Sequence, residues 1–389
     1  MIEIASNLIE VPVLGLQPGM YVSQLDRPWL ETPFATQGFL IRDTADAEYV
    51  AQHCSYVYID PKQAKVVDLN QKRFTRPDKI SIKQEFTRAK VEFENASQAM
   101  EKVFAEIKSH RRLDIKAVRV AISPLIDSVF RNKDALAALT RLKDKGDYLF
   151  QHSLSTAVWS AVLGRHLGME RDELLELALG TSIMDVGMST LPDNLLSKEG
   201  PLSTRELNLI QSHVGKSLSL AADGLSKRTL NILACHHERN DGSGYPHGLV
   251  GTQIPLFARI AGLVDAYDAM ITQRPHAQAR SSFEAVQELV DMKDTLFQGS
   301  LVEQFVQTVG MFPTGAIVEL NTGEVGIVVR QNETRRLRPV VVLILNSEQQ
   351  RRTDMPTIYF SKYTNTPTTW IVRELRAGAY GITPHDYFV

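Results

Sequence analysis

Cysteine is almost missing from this sequence: only Cys54 and Cys235 occur in 389 residues. They are far apart and fit no CxxC pattern, so no disulfide framework is expected and a reducing cytoplasm is the simplest compartment. An excess of one charge is missing too. Forty-three Lys plus Arg stand against 45 Asp plus Glu, a net charge of -2. No global basic field therefore directs the chain to nucleic acid or anionic lipid, although a local pocket could still hold a small anion. No apolar run reaches the roughly 18 residues that span a bilayer. The most apolar, Val340-Val341-Val342-Leu343-Ile344-Leu345, is short and β-branched and reads as a buried strand. The N-terminal Met1-Ile2-Glu3-Ile4-Ala5-Ser6-Asn7 has no basic segment ahead of an apolar core, so no secretory signal is expected. Apolar residues at 43% and charged residues at 23% are ordinary for folded protein and exclude disordered, collagenous or low-complexity chains.

At about 150 residues per domain, this length predicts two or three domains. Residues 1–65 read as a small β-containing domain, with turn signals at Gln17-Pro18-Gly19-Met20 and a strand at Tyr56-Val57-Tyr58-Ile59-Asp60. Residues 66–145 form a linker and helical hairpin: polar to about 82, then helical. There Phe86, Phe93, Met100 and Ile107 recur at heptad spacing and Val103 joins their face. Pro124 is expected to break that helix. The stripe is to be buried by a helical hairpin or by a second subunit. Residues 146–310 continue mostly helical, interrupted by Gly- and Pro-rich loops at 187–201 and 239–256. Residues 311–389 form a β extension, with a hairpin around Asn321-Thr322-Gly323-Glu324 and a third strand at 339–346. The expected fold class is mainly α, with a β-containing domain ahead and a short β extension behind.

Chemistry concentrates in the helical body. His152, Asp185, His213, the adjacent His236 and His237, Asp265 and Asp268 are spread over more than a hundred residues. Imidazole mixed with carboxylate suits Fe, Mn or Zn, and helices can turn such side chains inward. Taken alone, His152 or His213 reads as a hydrogen-bonded histidine, and Asp185 as a cap or ion-pair partner. The His236-His237 pair is harder to explain that way. Successive helical residues diverge by about 100°, so two partners are needed, and a metal supplies both. Asp265 and Asp268 lie one helical turn apart and can face the same cavity. Behind the pair comes Glu238-Arg239-Asn240-Asp241-Gly242-Ser243-Gly244-Tyr245-Pro246-His247-Gly248-Leu249. Its glycines permit close backbone approach, its proline fixes the exit, and Tyr245 offers a flat face to a nucleobase.

This segment resembles the HD-GYP family, the cyclic-dinucleotide phosphodiesterase branch of the HD metal-dependent phosphohydrolases, over about residues 146–310. Residues 11–60 resemble the accessory domain often found ahead of such domains, and the β tail resembles their C-terminal extension. The resemblance implies an all-helical HD-type bundle with one or two divalent ions, Fe or Mn. It places His152, Asp185, His213, His236, His237 and Asp265 at ligand positions, with Asp185 bridging. It puts Arg274 on a ligand phosphate, makes Asp185 and Arg274 catalytic, and groups Gly242, Gly244, Tyr245, Pro246 and Asp268 with Arg274 at the substrate.

The chain also departs from the family pattern. The usual HDIGK stretch is Met184-Asp185-Val186-Gly187-Met188 here, so a histidine ligand and a lysine are both replaced by methionine. A basic residue often found after the arginine is Ala277, and a glutamate of three-metal members is Tyr148. One ion is expected to bind well and the other weakly. The expected function is hydrolysis of cyclic di-GMP by metal-activated water, reduced by these losses. The alternative is an inactive module that binds cyclic dinucleotide or signalling partners, as a homodimer or with another protein, with no nucleic acid and no membrane span.

Overall fold

A computed structural model describes residues 8–29, 32, 34, 38–41, 44–60, 78–110, 112–141, 148–198, 200–221, 224–274, 278–331, 339–360, 369–376, 378–383 and 387. The polar linker up to residue 77, and Ala277, lie outside them.

The first strands, β1 (Ile9–Pro12) and β2 (Tyr21–Leu25), precede β3 (Phe39–Leu40), helix α1 (Thr44–Ala51) and β4 (Tyr56–Ile59). The sheet is antiparallel in the order β1-β4-β2-β3. Val22, Leu25, Ile41, Val50 and Val57 form its own small core.

The helical part begins with α2 (Ile82–His110), α3 (Ile115–Arg131) and α4 (Lys133–Leu139). Asp114 caps α3 through the amide of Ala117, and Asn132 caps α4, each oxygen satisfying an orphan helix N–H. Phe86, Met100, Val103 and Ile107 of α2 are buried, in one core with residues of α3, α4 and the helix beginning at Tyr148. The stripe is thus covered within the chain, with no need of a second copy. The expected break at Pro124 does not occur, because α3 runs through it. The carbonyl that loses its donor belongs to Val120, which is 74% exposed, so water can serve it while the other face stays packed.

Next come α5 (Tyr148–His166), α6 (Arg171–Ile183), a 3-10 turn at Val186–Thr190, α7 (Asp193–Leu196), α8 (Thr204–Gln211), α9 (His213–Leu220) and α10 (Lys227–Cys235). Helices α11 (Leu256–Ile271), α12 (Ser282–Asp291) and α13 (Gly299–Val309) complete the bundle. Every residue of α5 from His152 to His166 is buried, so it is the central helix, surrounded on all sides, with His152, Arg165 and His166 as its large polar members. Gly164 and Gly180 make this closeness possible: a β-carbon at either would lie 2.5 Å from Leu174 or 2.4 Å from Ile232.

The C-terminal strands β5 (Ile317–Leu320), β6 (Val325–Arg330), β7 (Val340–Leu345), β8 (Thr357–Tyr359) and β9 (Ile371–Leu375) make an antiparallel sheet in the order β8-β7-β6-β5-β9. The hairpin pairs Ile317 with Ile327 and Glu319 with Val325. Two strands exceed the sequence expectation. The first, β8, is three residues long, and β9 carries Arg373 and Glu374, so neither has an apolar alternation to read.

Candidate metal centre

Five pieces of chain bring the polar side chains together. His152 stands on α5, Asp185 in the turn after α6, His213 at the start of α9, His236 and His237 after the last turn of α10, and Asp265 on α11. Two glycines set how closely these pieces meet. A β-carbon on Gly187 would fall 2.2 Å from the His213 carbonyl oxygen, and one on Gly262 would fall 2.4 Å from that of His236. Neither contact is readable from the sequence, since each partner is distant along the chain.

The donors form two groups that share Asp185. One is Asp185, His213, His236 and His237; the other is His152, Asp185 and Asp265, and within each the ligand atoms lie within 4.8 Å of one another. Oδ1 of Asp185 is 3.1 Å from Nε2 of His213 and 3.5 Å from Nε2 of His236, while Oδ2 is 3.6 Å from Nε2 of His152. Nε2 of His152 is also 2.9 Å from Asp265. His237 stands between the groups, its Nδ1 3.9 Å from Asp265. Because α10 ends at Cys235, the two adjacent imidazoles do not diverge as on a continuing helix, and their rings are 4.1 Å apart.

The backs of the rings decide what their fronts can do. Nδ1 of His213 is 2.7 Å from the Ile210 carbonyl, and Nδ1 of His236 is 3.1 Å from that of Ile232. A carbonyl can only accept, so each Nδ1 carries a proton, and it is Nε2 of each ring that faces forward to donate a lone pair to a metal. Those two lone pairs are 3.4 Å apart, with the Asp185 carboxylate beside them. Three buried acceptors facing one another repel unless a cation or proton lies between them. That fits a divalent metal held by imidazole and carboxylate.

Electrostatics follow the same geometry. Burial opposes ionisation of Asp185, yet His152, His213 and His236 hold its pKa well below the usual carboxylate range. For His152 burial works downward, but Tyr148, Asp185, Asp265 and Asp268 outweigh it and raise the pKa well above that of free imidazole. His213 is raised as well, with Asp185 prevailing over burial. His237 goes the opposite way: burial first, then the charge of His236, depress it well below the ordinary value.

Asp268 does not take the place at the substrate that its spacing from Asp265 suggested. It is fully buried behind His152, with Oδ2 2.7 Å from Nδ1. On α11 the two aspartates do share a side, but they grip opposite nitrogens of one imidazole. Gly242, Gly244 and Pro246 likewise are absent from the cavity wall; they shape the loop. Gly242 has φ +83°, and a β-carbon on Gly244 would sit 2.3 Å from the Arg239 amide nitrogen. The loop is fastened by the buried carboxylate of Glu238, which accepts the amides of His247 at 2.7 Å and Leu249 at 2.9 Å. Glu238 carries no sequence signal beyond its place in the loop.

A cavity of about 860 Å³ opens over the donors, within the usual size range for small-ligand sites. Its wall includes His152, Asp185, His213, His237, Asp265, Tyr245 and Arg274. Tyr245 stacks on His237 at 4.7 Å and Tyr148 on His152 at 5.2 Å, so each tyrosine has one face against an imidazole. Tyr148, noted in the sequence only as a departure, is part of the site. Arg274 Nε and Ser189 Oγ are buried with no hydrogen-bond partner among the described residues, and both residues line the cavity. Met188 lines it too, whereas Met184 is 0% exposed and packed in the apolar core.

Residues 132–301 match the family model of the HD domain. Residues 8–118 match a domain of unknown function (DUF3391), and residues 317–379 match a KOW domain associated with HD domain. The chain is 28% identical over 359 residues to a cyclic di-GMP phosphodiesterase of Pseudomonas aeruginosa, covering 88% of this chain and 86% of that protein. It is 31% identical over 200 residues to the cyclic di-GMP phosphodiesterase response regulator RpfG of Xanthomonas campestris, 48% of this chain and 52% of that one. A 3'3'-cGAMP-specific phosphodiesterase of Vibrio cholerae is 33% identical over 138 residues, 35% of this chain and 32% of its own length.

Proposed function

We propose that this chain, whose residues 132–301 match the HD domain, is a metal-dependent phosphodiesterase of the HD-GYP type whose substrate is cyclic di-GMP. The observation that carries the proposal is the cage around Asp185: two Nε2 lone pairs 3.4 Å apart with a carboxylate oxygen 3.1 and 3.5 Å from them. A relative named for cyclic di-GMP spans 88% of this chain and one named for cGAMP spans 35%, which favours cyclic di-GMP over the mixed GMP–AMP dinucleotide.

Divalent ions, when bound, supply Lewis acidity at a phosphoryl oxygen and lower the pKa of attacking water. The protein's own contribution is to orient and to exclude. Asp185 presents one oxygen to each donor group. The carbonyls of Ile210 and Ile232 hold the rings of His213 and His236 in the donating tautomer. Asp268 does the same from behind His152. Tyr148 and Tyr245 cover the outer faces of two imidazoles and keep water from them. Arg274 offers an unpartnered Nε to a phosphate oxygen, where a guanidinium fork is well suited.

Activity is reduced relative to a complete site, because the position before Asp185 carries a thioether and Met188 brings no charge to the cavity. Loss of a side chain that would itself touch the metal costs at least the roughly 10–100-fold typical of supporting residues. The test is anaerobic incubation of purified protein with Fe²⁺ or Mn²⁺ and cyclic di-GMP, followed by chromatography for linear dinucleotide. Slow turnover that vanishes in Asp185→Ala is the expected result. A second reading, a cyclic-dinucleotide-binding module without turnover, is favoured by one observation, the burial of Met184 in the apolar core. Tight binding with no linear product in fully metallated protein would select it.

A further inference from the structure

The cavity is not built by the HD segment alone. Glu101, Phe104, Ala105 and Lys108 line it, all from α2, which lies before residue 132 where the HD match begins. Their spacing of i, i+3, i+4 and i+7 puts them on one face of the helix. The same helix sends Phe86, Met100 and Ile107 into the core. Its first half is held to α3 by the buried carboxylate of Glu85, which accepts Arg131 at 2.7 and 2.8 Å and the Ser128 hydroxyl at 2.7 Å. So α2 is a fixed wall of the cavity facing the metal centre.

We propose that Lys108 is a specificity-determining residue that binds the second phosphate of a two-phosphate cyclic ligand. The assignment rests on the reading of this cavity as a cyclic-dinucleotide site. Such a ligand brings two phosphodiesters. The one under attack sits at the metal centre with Arg274; the other needs a cation of its own. Among the described residues lining the cavity, the lysine and arginine side chains are Lys108 and Arg274. Met188, where the resemblance leads one to look for a lysine, lines the same cavity without charge. Lys108 therefore supplies from α2 a charge that the turn after α6 lacks.

Lys108 can be transferred to such a ligand. Its Nζ lies 2.9 and 3.0 Å from the two carboxylate oxygens of Asp193, but the side chains are 62% and 75% exposed. An ion pair so open to water holds its members loosely, and Asp193 stays solvated when the ammonium moves to a phosphate. A charge-assisted bond to phosphate then replaces a screened bond to carboxylate.

The experiment compares cyclic di-GMP with bis(p-nitrophenyl) phosphate, which has a single phosphate, on full-length metal-loaded protein. Lys108→Ala is expected to weaken cyclic di-GMP, in KM or in Kd by calorimetry, about tenfold more than it affects the single-phosphate probe. Lys108→Arg should restore most of that loss, and Asp193→Asn, which releases the ammonium, should tighten the dinucleotide. An unaltered thermal midpoint in Lys108→Gln, with the same loss of affinity, separates recognition from folding. If the wild-type protein binds cyclic di-GMP and Lys108→Ala binds it equally well, the assignment is overturned while the reading of the site stands. If the wild-type protein neither binds nor cuts cyclic di-GMP, the reading of the site falls and takes this assignment with it.

Discussion

The two donor groups that share Asp185 are built differently. The His213–His236–His237 group is rich in imidazole, and the rings of His213 and His236 are backed by main-chain carbonyls. The His152–Asp265 group has one imidazole, gripped by Asp265 at Nε2 and by Asp268 at Nδ1. The first group has tautomers set by groups that cannot themselves titrate. The second depends on a carboxylate to orient its ring and offers a single imidazole. One carboxylate thus joins a self-sufficient half to a dependent one.

The largest effect should come from removing what the halves share. Asp185→Ala is expected to empty both and to lower turnover more than about 100-fold, read as metal per chain by mass spectrometry and as linear product by chromatography. Next in size, His213→Ala should remove the tightly held ion, whereas His152→Ala should leave it in place; equal losses from the two variants would erase the asymmetry. Met184→His with Met188→Lys should strengthen the dependent half about 10–100-fold and raise turnover accordingly. No change in fully metallated protein would mean that the missing imidazole is not what limits it. Asp268→Asn, which keeps the shape but removes the charge behind His152, should weaken only that half, by about tenfold.

The smallest effect is on pH. His152 and His213 have raised pKa values in the metal-free protein, so they keep their protons to higher pH than free imidazole does. Those protons must leave before either Nε2 can donate. Metal affinity should therefore go on rising at pH above the ordinary imidazole range, with protons released on loading. Calorimetry in buffers of different ionisation heat reads the proton count; a flat profile would mean that both rings are already neutral.

How much of this was legible beforehand varies by residue. His152, Asp185, His213, His236, His237 and Asp265, picked out in the sequence, do lie in two adjoining groups. Chemistry-bearing residue types in a specific loop context are a local signal. Asp268 stands behind His152, a place the sequence does not show, because helical spacing gives the side of α11 but not the depth at which a side chain stops. Pro124 was misjudged because the rule that proline ends helices presumes a carbonyl with no other partner, and Val120 faces water. Strands β8 and β9 were missed because edge strands carry little alternation. Tyr148 was marked in the sequence only as a departure from a glutamate, and Lys108 had no motif to announce it.

Composition and residue order alone settled the class of the chain: helical body, β-containing ends, and an inventory of imidazoles and carboxylates suited to a divalent transition metal. These follow from local propensity and donor chemistry, which every residue carries with it. Packing alone decided which nitrogen of each ring faces the cavity, that Asp268 stands behind His152, and that a helix outside the matched HD segment closes the far wall. Those outcomes depend on contacts between residues far apart in sequence, and such contacts exist only once the chain has folded.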